Sequence, residues 1–116
     1  MTSNLRIFGI GTVVIDHVVT LPAFPTADTK CEIETSWRQI GGPIPVALSV
    51  AAHYGANTSF CGRWGNDPIG HEIRDGLTSR GIDLSTSQSR EEWASGFAQV
   101  WIDGQTGQRT VAYSRG

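Results

Sequence analysis

The sequence predicts an α/β protein, the first part of a doubly wound parallel sheet from which a small antiparallel β sheet projects. Three observations carry that prediction. Apolar, strand-like runs alternate along the chain with two helix-like segments. Two other stretches, Lys30–Gln39 and Ala94–Tyr113, show the every-second-residue alternation of half-exposed strands and do not belong in a parallel core. Of the 14 glycines, nine cluster at the joints, at Gly9/Gly11, Gly41/Gly42, Gly62/Gly65/Gly70 and Gly104/Gly107.

Leu5–Val19 is rich in Ile, Val and Phe, with little charge before Asp16, which suits one strand buried on both faces. Two prolines in Leu21-Pro-Ala-Phe-Pro make an irregular crossing. In Lys30–Gln39, Cys31, Ile33, Thr35 and Trp37 share one side of a strand, and Glu32, Glu34, Ser36 and Arg38 share the other. Pro43 opens a helix after Gly41-Gly42, where a missing N–H costs nothing, and Gly55 closes it. Its small and apolar residues surround the axis, which predicts a buried helix packed closely on the sheet. Thr58–Cys61 is a second strand. Asp67-Pro68 caps and starts a second helix through Ile69, Ile73 and Leu77, ending at Arg80-Gly81. Ile82-Asp-Leu enters a third strand. Phe97–Ile102 and Arg109–Tyr113 form a hairpin around Asp103-Gly-Gln-Thr-Gly.

The 116 residues suffice for one domain with a modest core. Hydrophobic residues at 39% and charged residues at 17% indicate a globular chain. A net charge of -2 gives no long-range pull on nucleic acid or an anionic membrane. No apolar run reaches the roughly 20 residues that span a bilayer, and no cleavable leader precedes the first strand, so the cytoplasm is the expected compartment. Cys31 and Cys61 are too few and too far apart for a disulfide scaffold or zinc cluster, and are expected as buried thiols.

Three features occur in one order: a strand ending in Asp16, the Gly41-Gly42 pair opening a small-residue helix, and Gly55-Ala56 followed by Cys61-Gly-Arg-Trp-Gly-Asn-Asp-Pro-Ile-Gly70. Together they resemble the amino-terminal part of the ribokinase-like (PfkB-type) carbohydrate kinases. Gly62–Gly70 matches that family's "G-x-x-G-x-D-x-x-G" at every fixed position. Gly81-Ile-Asp is similar to its "G-V-D", and Ser95-Gly96 to the "T-G" before its lid hairpin. The resemblance implies that residues 1–116 are the amino-terminal portion of a kinase domain, with lid strands at about 30–39 and 94–113. It also implies ATP-dependent phosphoryl transfer to a sugar hydroxyl, with ATP and magnesium as cofactors of the whole enzyme and none bound by this chain alone. Two departures stand out. Val46 occupies a position where the family commonly has Asn, and Pro43, Ala47 and Leu48 look closer to a "G-G-P" branch. The family's "G-A-G-D" motif, with its catalytic Asp, is absent before Gly116, so this chain is expected to position a sugar and to lack the catalytic base.

The substrate-binding candidates are Asp16, Gly41, Gly42 and Val46. An ionised Asp16 accepts hydrogen bonds only and can hold two neighbouring sugar hydroxyls; a strand-end aspartate can also simply make a local turn. Gly41 and Gly42 let a ligand approach the backbone ahead of a helix N-terminus, and would equally serve an ordinary left-handed turn. Gly9-Ile-Gly11 lacks the third glycine and the helix of a dinucleotide fingerprint. His17, His53 and His71 have no metal-ligand spacing. The serines, Ser49 among them, have no nucleophile-elbow context. Trp37 and Trp101 suit inter-strand packing, or stacking on a sugar or a partner lid. Arg38 and Gln39 lead into the glycine pair, at the site or in solvent. Asp67 is a helix cap and not a catalytic base. The partners expected are a small-molecule sugar and a second copy through the lid sheet, with no nucleic acid and no membrane. The competing readings are a non-catalytic sugar-binding or dimerising module, and a nucleoside kinase of the same superfamily.

Overall fold

The structure, a computed structural model, describes residues 4–116. It divides the first apolar run in two. β1 (Arg6–Ile10) pairs in parallel with β4 (Asn57–Cys61), whereas β2 (Val14–Leu21) leaves for another sheet. The expected single strand over Leu5–Val19 is therefore corrected. Both halves are apolar because each is packed by different neighbours, so composition alone carried no sign of the joint. Gly11 marks it: a side chain there would fall 2.8 Å from Ile44 of the first helix.

The projecting sheet has the order β3-β2-β7-β8, with β3 at Thr35–Gly41, β7 at Gly96–Asp103 and β8 at Arg109–Ser114. β2 runs antiparallel to β3 and parallel to β7, and β7–β8 is the expected hairpin. The sheet is thus mixed rather than wholly antiparallel, because β2 was absorbed into it from the run assigned to the core. β3 also begins later than expected, at Thr35 rather than Lys30, and continues to Gly41. A short parallel pair, β5 (Arg63–Gly65) with β6 (Gln88–Arg90), completes the strands and escaped the sequence reading. Ile82-Asp83-Leu84 makes no strand. It contributes one parallel bridge, Ser59 to Asp83, held by Phe60 N–H to Asp83 O (2.9 Å) and Asp83 N–H to Thr58 O (2.9 Å).

α1 (Pro43–His53) starts after Gly42, whose φ of 110° suits glycine alone. Gly9 of β1 lies under Ile44 and Leu48, so the helix can approach the sheet closely. α1 is not buried all round, however. Pro45 and Leu48 are buried while Val46 and Val50 stand 46% and 54% exposed. Its small residues reflect a close approach on one face, which mimics an all-round apolar surface in sequence. α2 (Pro68–Ser79) buries Ile73 and Leu77 completely, each contributing roughly 1.5–3 kcal/mol of apolar transfer. These two join Ile15, Leu48, Phe60 and Trp64 in the core between helices and sheets.

The molecule is a slab of 52 × 38 × 18 Å with a radius of gyration of 16.4 Å, against about 13 Å for a compact domain of this length. Its accessible surface of 7737 Å² exceeds the roughly 6,200 Å² of a typical folded chain of this mass. Much of the excess is apolar: Phe8 and Ile10, on the face of β1 turned away from α1, are 55% and 69% exposed. The cysteines also differ from expectation, since Cys31 is exposed on the crossing before β3 and Cys61 is half-buried at the end of β4. Neither is enclosed, since Cys31 lies within the irregular crossing between β2 and β3 and Cys61 is the last residue of β4.

Candidate functional site

Asp16 sits third in β2, opposite Gln39 of β3 and Ala98 of β7. It therefore reaches its site from the projecting sheet, not from the carboxyl end of a parallel strand; that expectation is corrected with the strand that carried it. Its carboxylate packs against the Cα of Gly41, where a Cβ would fall on the carboxylate itself. Gly42 follows with its left-handed backbone, and a Cβ there would meet the Thr12 carbonyl oxygen. Asp16, Gly41 and Gly42 are thus brought together, and each glycine is required by a contact.

Val46 stands one turn into α1, its N–H donating to Gly42 O at 3.1 Å. Its side chain lines an open groove of about 450 Å³ together with Gln39, Ile40, Ser49, Val50 and Arg80. Gln39 links groove and carboxylate, since it stands directly opposite Asp16 across the β2–β3 pair. Burial pushes the Asp16 carboxyl above the usual carboxylate range, and the Gln39 hydrogen bond and the Arg109 charge pull it only partly back. Such a group is an acceptor with few competing partners, suited to neutral hydroxyl donors.

The first turn of α1 is poorer in donors than a generic helix start. Pro43 and Pro45 carry no N–H, so backbone donors remain only at Gly42 and Ile44 within Gly42–Pro45. The start of α2 is already filled by Asp67. Among the described residues no group of three or more His, Cys, Asp or Glu side chains could hold a metal ion.

The other candidates stand as follows. Arg38 points away from Asp16, pairing with Glu72 (Nε to Oε1, 3.0 Å) and lying over the Phe97 ring. His71 meets Asn66, and His53 meets the Tyr54 ring edge-on. Trp37 and Trp101 are 43% and 41% exposed, so neither is packed away between strands. Ser49 donates to Pro45 O and accepts from Arg80.

Sequence reasoning assigned Asp67 a single role, and the structure gives it two. Oδ1 accepts from Gly70 N–H (2.7 Å), capping α2, and from Ser95 Oγ (2.6 Å); Oδ2 accepts from Ser95 N–H (3.1 Å). Ser95 Oγ also accepts from Gly65 N–H at 3.0 Å. The root of β7 is thereby clasped to the start of α2. Gly65 and Gly70 make room for this: a Cβ on Gly70 would strike Gly65 O, and one on Gly65 would strike Trp93 O. The spacing from Gly62 to Gly70 was the signal, though nothing in it named Ser95 as partner. A second unforeseen cluster stacks Arg63 and Arg90 on the Trp93 ring, at 5.2 and 4.9 Å.

Comparison with known proteins shows what the chain as a whole is similar to. The description "pfkB family carbohydrate kinase" matches residues 4–116. A nucleoside kinase of Methanothermobacter thermautotrophicus is 28% identical over 86 residues, covering 74% of this chain and 28% of that protein. Arabidopsis thaliana ribokinase, solved with ribose and ATP, aligns over 98% of this chain and 36% of its own, with a TM-score of 0.78 and 23% identity. The nucleoside kinase of Methanocaldococcus jannaschii aligns over 98% and 38%, with a TM-score of 0.77 and 19% identity. The last two likenesses establish the fold. The chain spans between about a quarter and two fifths of the length of these relatives.

Proposed function

The chain belongs to the pfkB family of carbohydrate kinases, and on that premise we propose that residues 1–116 form the amino-terminal, sugar-binding part of an ATP-dependent kinase acting on a sugar hydroxyl. In this reading Asp16 accepts hydrogen bonds from neighbouring hydroxyls, Gly41 and Gly42 let the sugar lie against the backbone, and Val46 borders it from α1. β2, β3, β7 and β8 act as the lid that excludes water. The chain contributes positioning and not the general base, which can by itself supply several kcal/mol of the barrier reduction. ATP and magnesium are cofactors of the whole enzyme, and the cytoplasm is its proposed compartment.

One observation carries the proposal: a half-buried carboxylate seated against a glycine Cα directly ahead of α1, in a chain matched by the family from residue 4 to residue 116. The test is the sugar KM of the enzyme containing this chain. Asp16→Ala is expected to raise it at least tenfold, the equivalent of about 1.4 kcal/mol of lost binding. An unchanged KM would remove Asp16 from the site.

A nucleoside acceptor is the second reading, favoured by the 28% identical nucleoside kinase and by Val46, an apolar side chain facing the groove. A substrate panel of D-ribose, D-fructose and adenosine separates the two. A non-catalytic module, pairing with a second copy through the projecting sheet, would instead appear as a sugar-binding dimer without phosphoryl transfer.

A further inference from the structure

The Asp16 carboxylate is not held by the glycines alone. β2 and β3 are in antiparallel register with Asp16 opposite Gln39 and Val18 opposite Trp37, so Asp16, Gln39 and Trp37 share one face of the sheet. The Trp37 indole N–H donates to Gln39 Oε1 at 3.0 Å. An indole nitrogen can only donate, so it fixes which end of the Gln39 amide it meets. With Oε1 engaged by Trp37, the amide nitrogen is the end left to face Asp16, which stands directly opposite Gln39 in the pair of strands. The three side chains form one directional chain of donors: indole N–H to amide oxygen, amide N–H to carboxylate.

We infer that Gln39 is a positioning residue for the Asp16 carboxylate, with its amide locked by Trp37 so that a donor always faces Asp16 and the carboxylate's remaining lone pairs are aimed at the ligand. This rests on the proposed role of Asp16 in holding sugar hydroxyls. It adds a specificity device. Gln39 also lines the groove beside Val46, so a ligand lying in that groove touches the same amide that orients the carboxylate. Arg109 on β8 is the charged group that acts on Asp16 from across the sheet, and it acts through its field, outside the chain of donors.

The test uses the isotopically labelled 116-residue chain, in two arms. In the first, the Asp16 carboxyl carbon, the Gln39 side-chain amide and the Trp37 indole N–H are followed by NMR from low to neutral pH. The Gln39 and Trp37 resonances are expected to follow the Asp16 titration curve. In Gln39→Leu the Asp16 midpoint should rise by roughly one pH unit, and the Trp37 resonance should cease to follow it. Trp37→Phe, which keeps the ring packing, should raise the midpoint by less and shift the Gln39 amide; it serves if Gln39→Leu does not fold. Arg109→Gln should move the midpoint while Trp37 still follows. A Trp37 resonance that ignores Asp16 in the parent chain, or an unmoved Asp16 midpoint in Gln39→Leu, would overturn the inference.

The second arm adds D-ribose at neutral pH. A shift of the Trp37 indole resonance that is abolished by Asp16→Asn ties ligand capture to the relay. If the first arm succeeds and ribose moves nothing at any of the three groups, the sugar-binding role of Asp16 fails and the orienting role of Gln39 stands.

Discussion

Replacing Asp67 by Ala should release the root of the projecting sheet from α2, and its cost can be worked from three hydrogen bonds. The cap to Gly70 N–H is worth about 1 kcal/mol. Bonds from Ser95 N–H and Ser95 Oγ to an ionised carboxylate contribute about 1.5 kcal/mol each where water can reach them, before allowance for non-additivity. The expected loss is therefore about 3 kcal/mol, or about 10 °C in Tm for a chain of this size. Urea unfolding should show the midpoint falling with little change in slope. Asp67→Asn keeps a competent cap and should lose about 1 kcal/mol. The decisive measurement is the double-mutant cycle with Ser95→Ala, where shared bonds require coupling of at least about 1 kcal/mol. Fully additive losses would refute the clasp and leave Asp67 an ordinary helix cap. A pH dependence accompanies it. Burial works to raise the Asp67 carboxyl, but the bonds from Ser95 and Gly70 outweigh it and hold the group below its usual range. The unfolded chain then binds the proton more readily, so the contribution is complete above the unfolded value near ~3.9 and fades as pH falls through the lower folded value.

Asp16 should behave in the opposite sense. Its folded carboxyl lies above the usual range, chiefly through burial, so stability declines as pH rises from the unfolded value through the folded one. Asp16→Asn should accordingly stabilise the chain at neutral pH while weakening sugar binding, read by thermal melts and ligand titration side by side. Gly41→Ala should displace the Asp16 carboxylate and lower ligand affinity at least tenfold, measured by calorimetry. Gly70→Ala drives a methyl into Gly65 O and should cost roughly 1–3 kcal/mol or more by urea unfolding. Exposed Cys31 should react with a maleimide well before half-buried Cys61, as peptide mapping after brief labelling would show.

Much of this was legible in the residues. Both helices follow their punctuation: Pro43 and Gly55 bound α1, and Asp67-Pro68 and Gly81 bound α2. The hairpin followed from alternation and its glycines, and the Asp16 carboxylate lies against Gly41, with Gly42 next along the chain. What stayed hidden depends on partners distant in sequence. An apolar residue records that it is covered, not which element covers it, so Val14–Leu21 could not announce that it pairs with Gly96–Asp103 rather than with β4. Ser95 stood out only as part of the Ser95-Gly96 pair before the hairpin, because its bonds to Asp67 and Gly65 depend on residues far away in sequence. Gln39 read equally as a site residue or a solvent-facing one, because its place opposite Asp16 is set by the pairing of β3 with β2.

The parallel pairing of β2 with β7 has a consequence in time. Val14 finds its partner only at Gly96, and Leu21 only at Asp103, so the centre of the projecting sheet cannot close until residues 96–103 have left the ribosome. Until then β2 has only β3 beside it, and a lone two-stranded ribbon is marginal in water. Late closure of so distant a contact makes for slow folding, during which an apolar strand stays open to other chains. The Asp67–Ser95 clasp sits at the first residues of β7. It is placed to act as the latch that ends this vulnerable interval, fixing the start of the strand while the remainder zips along β2.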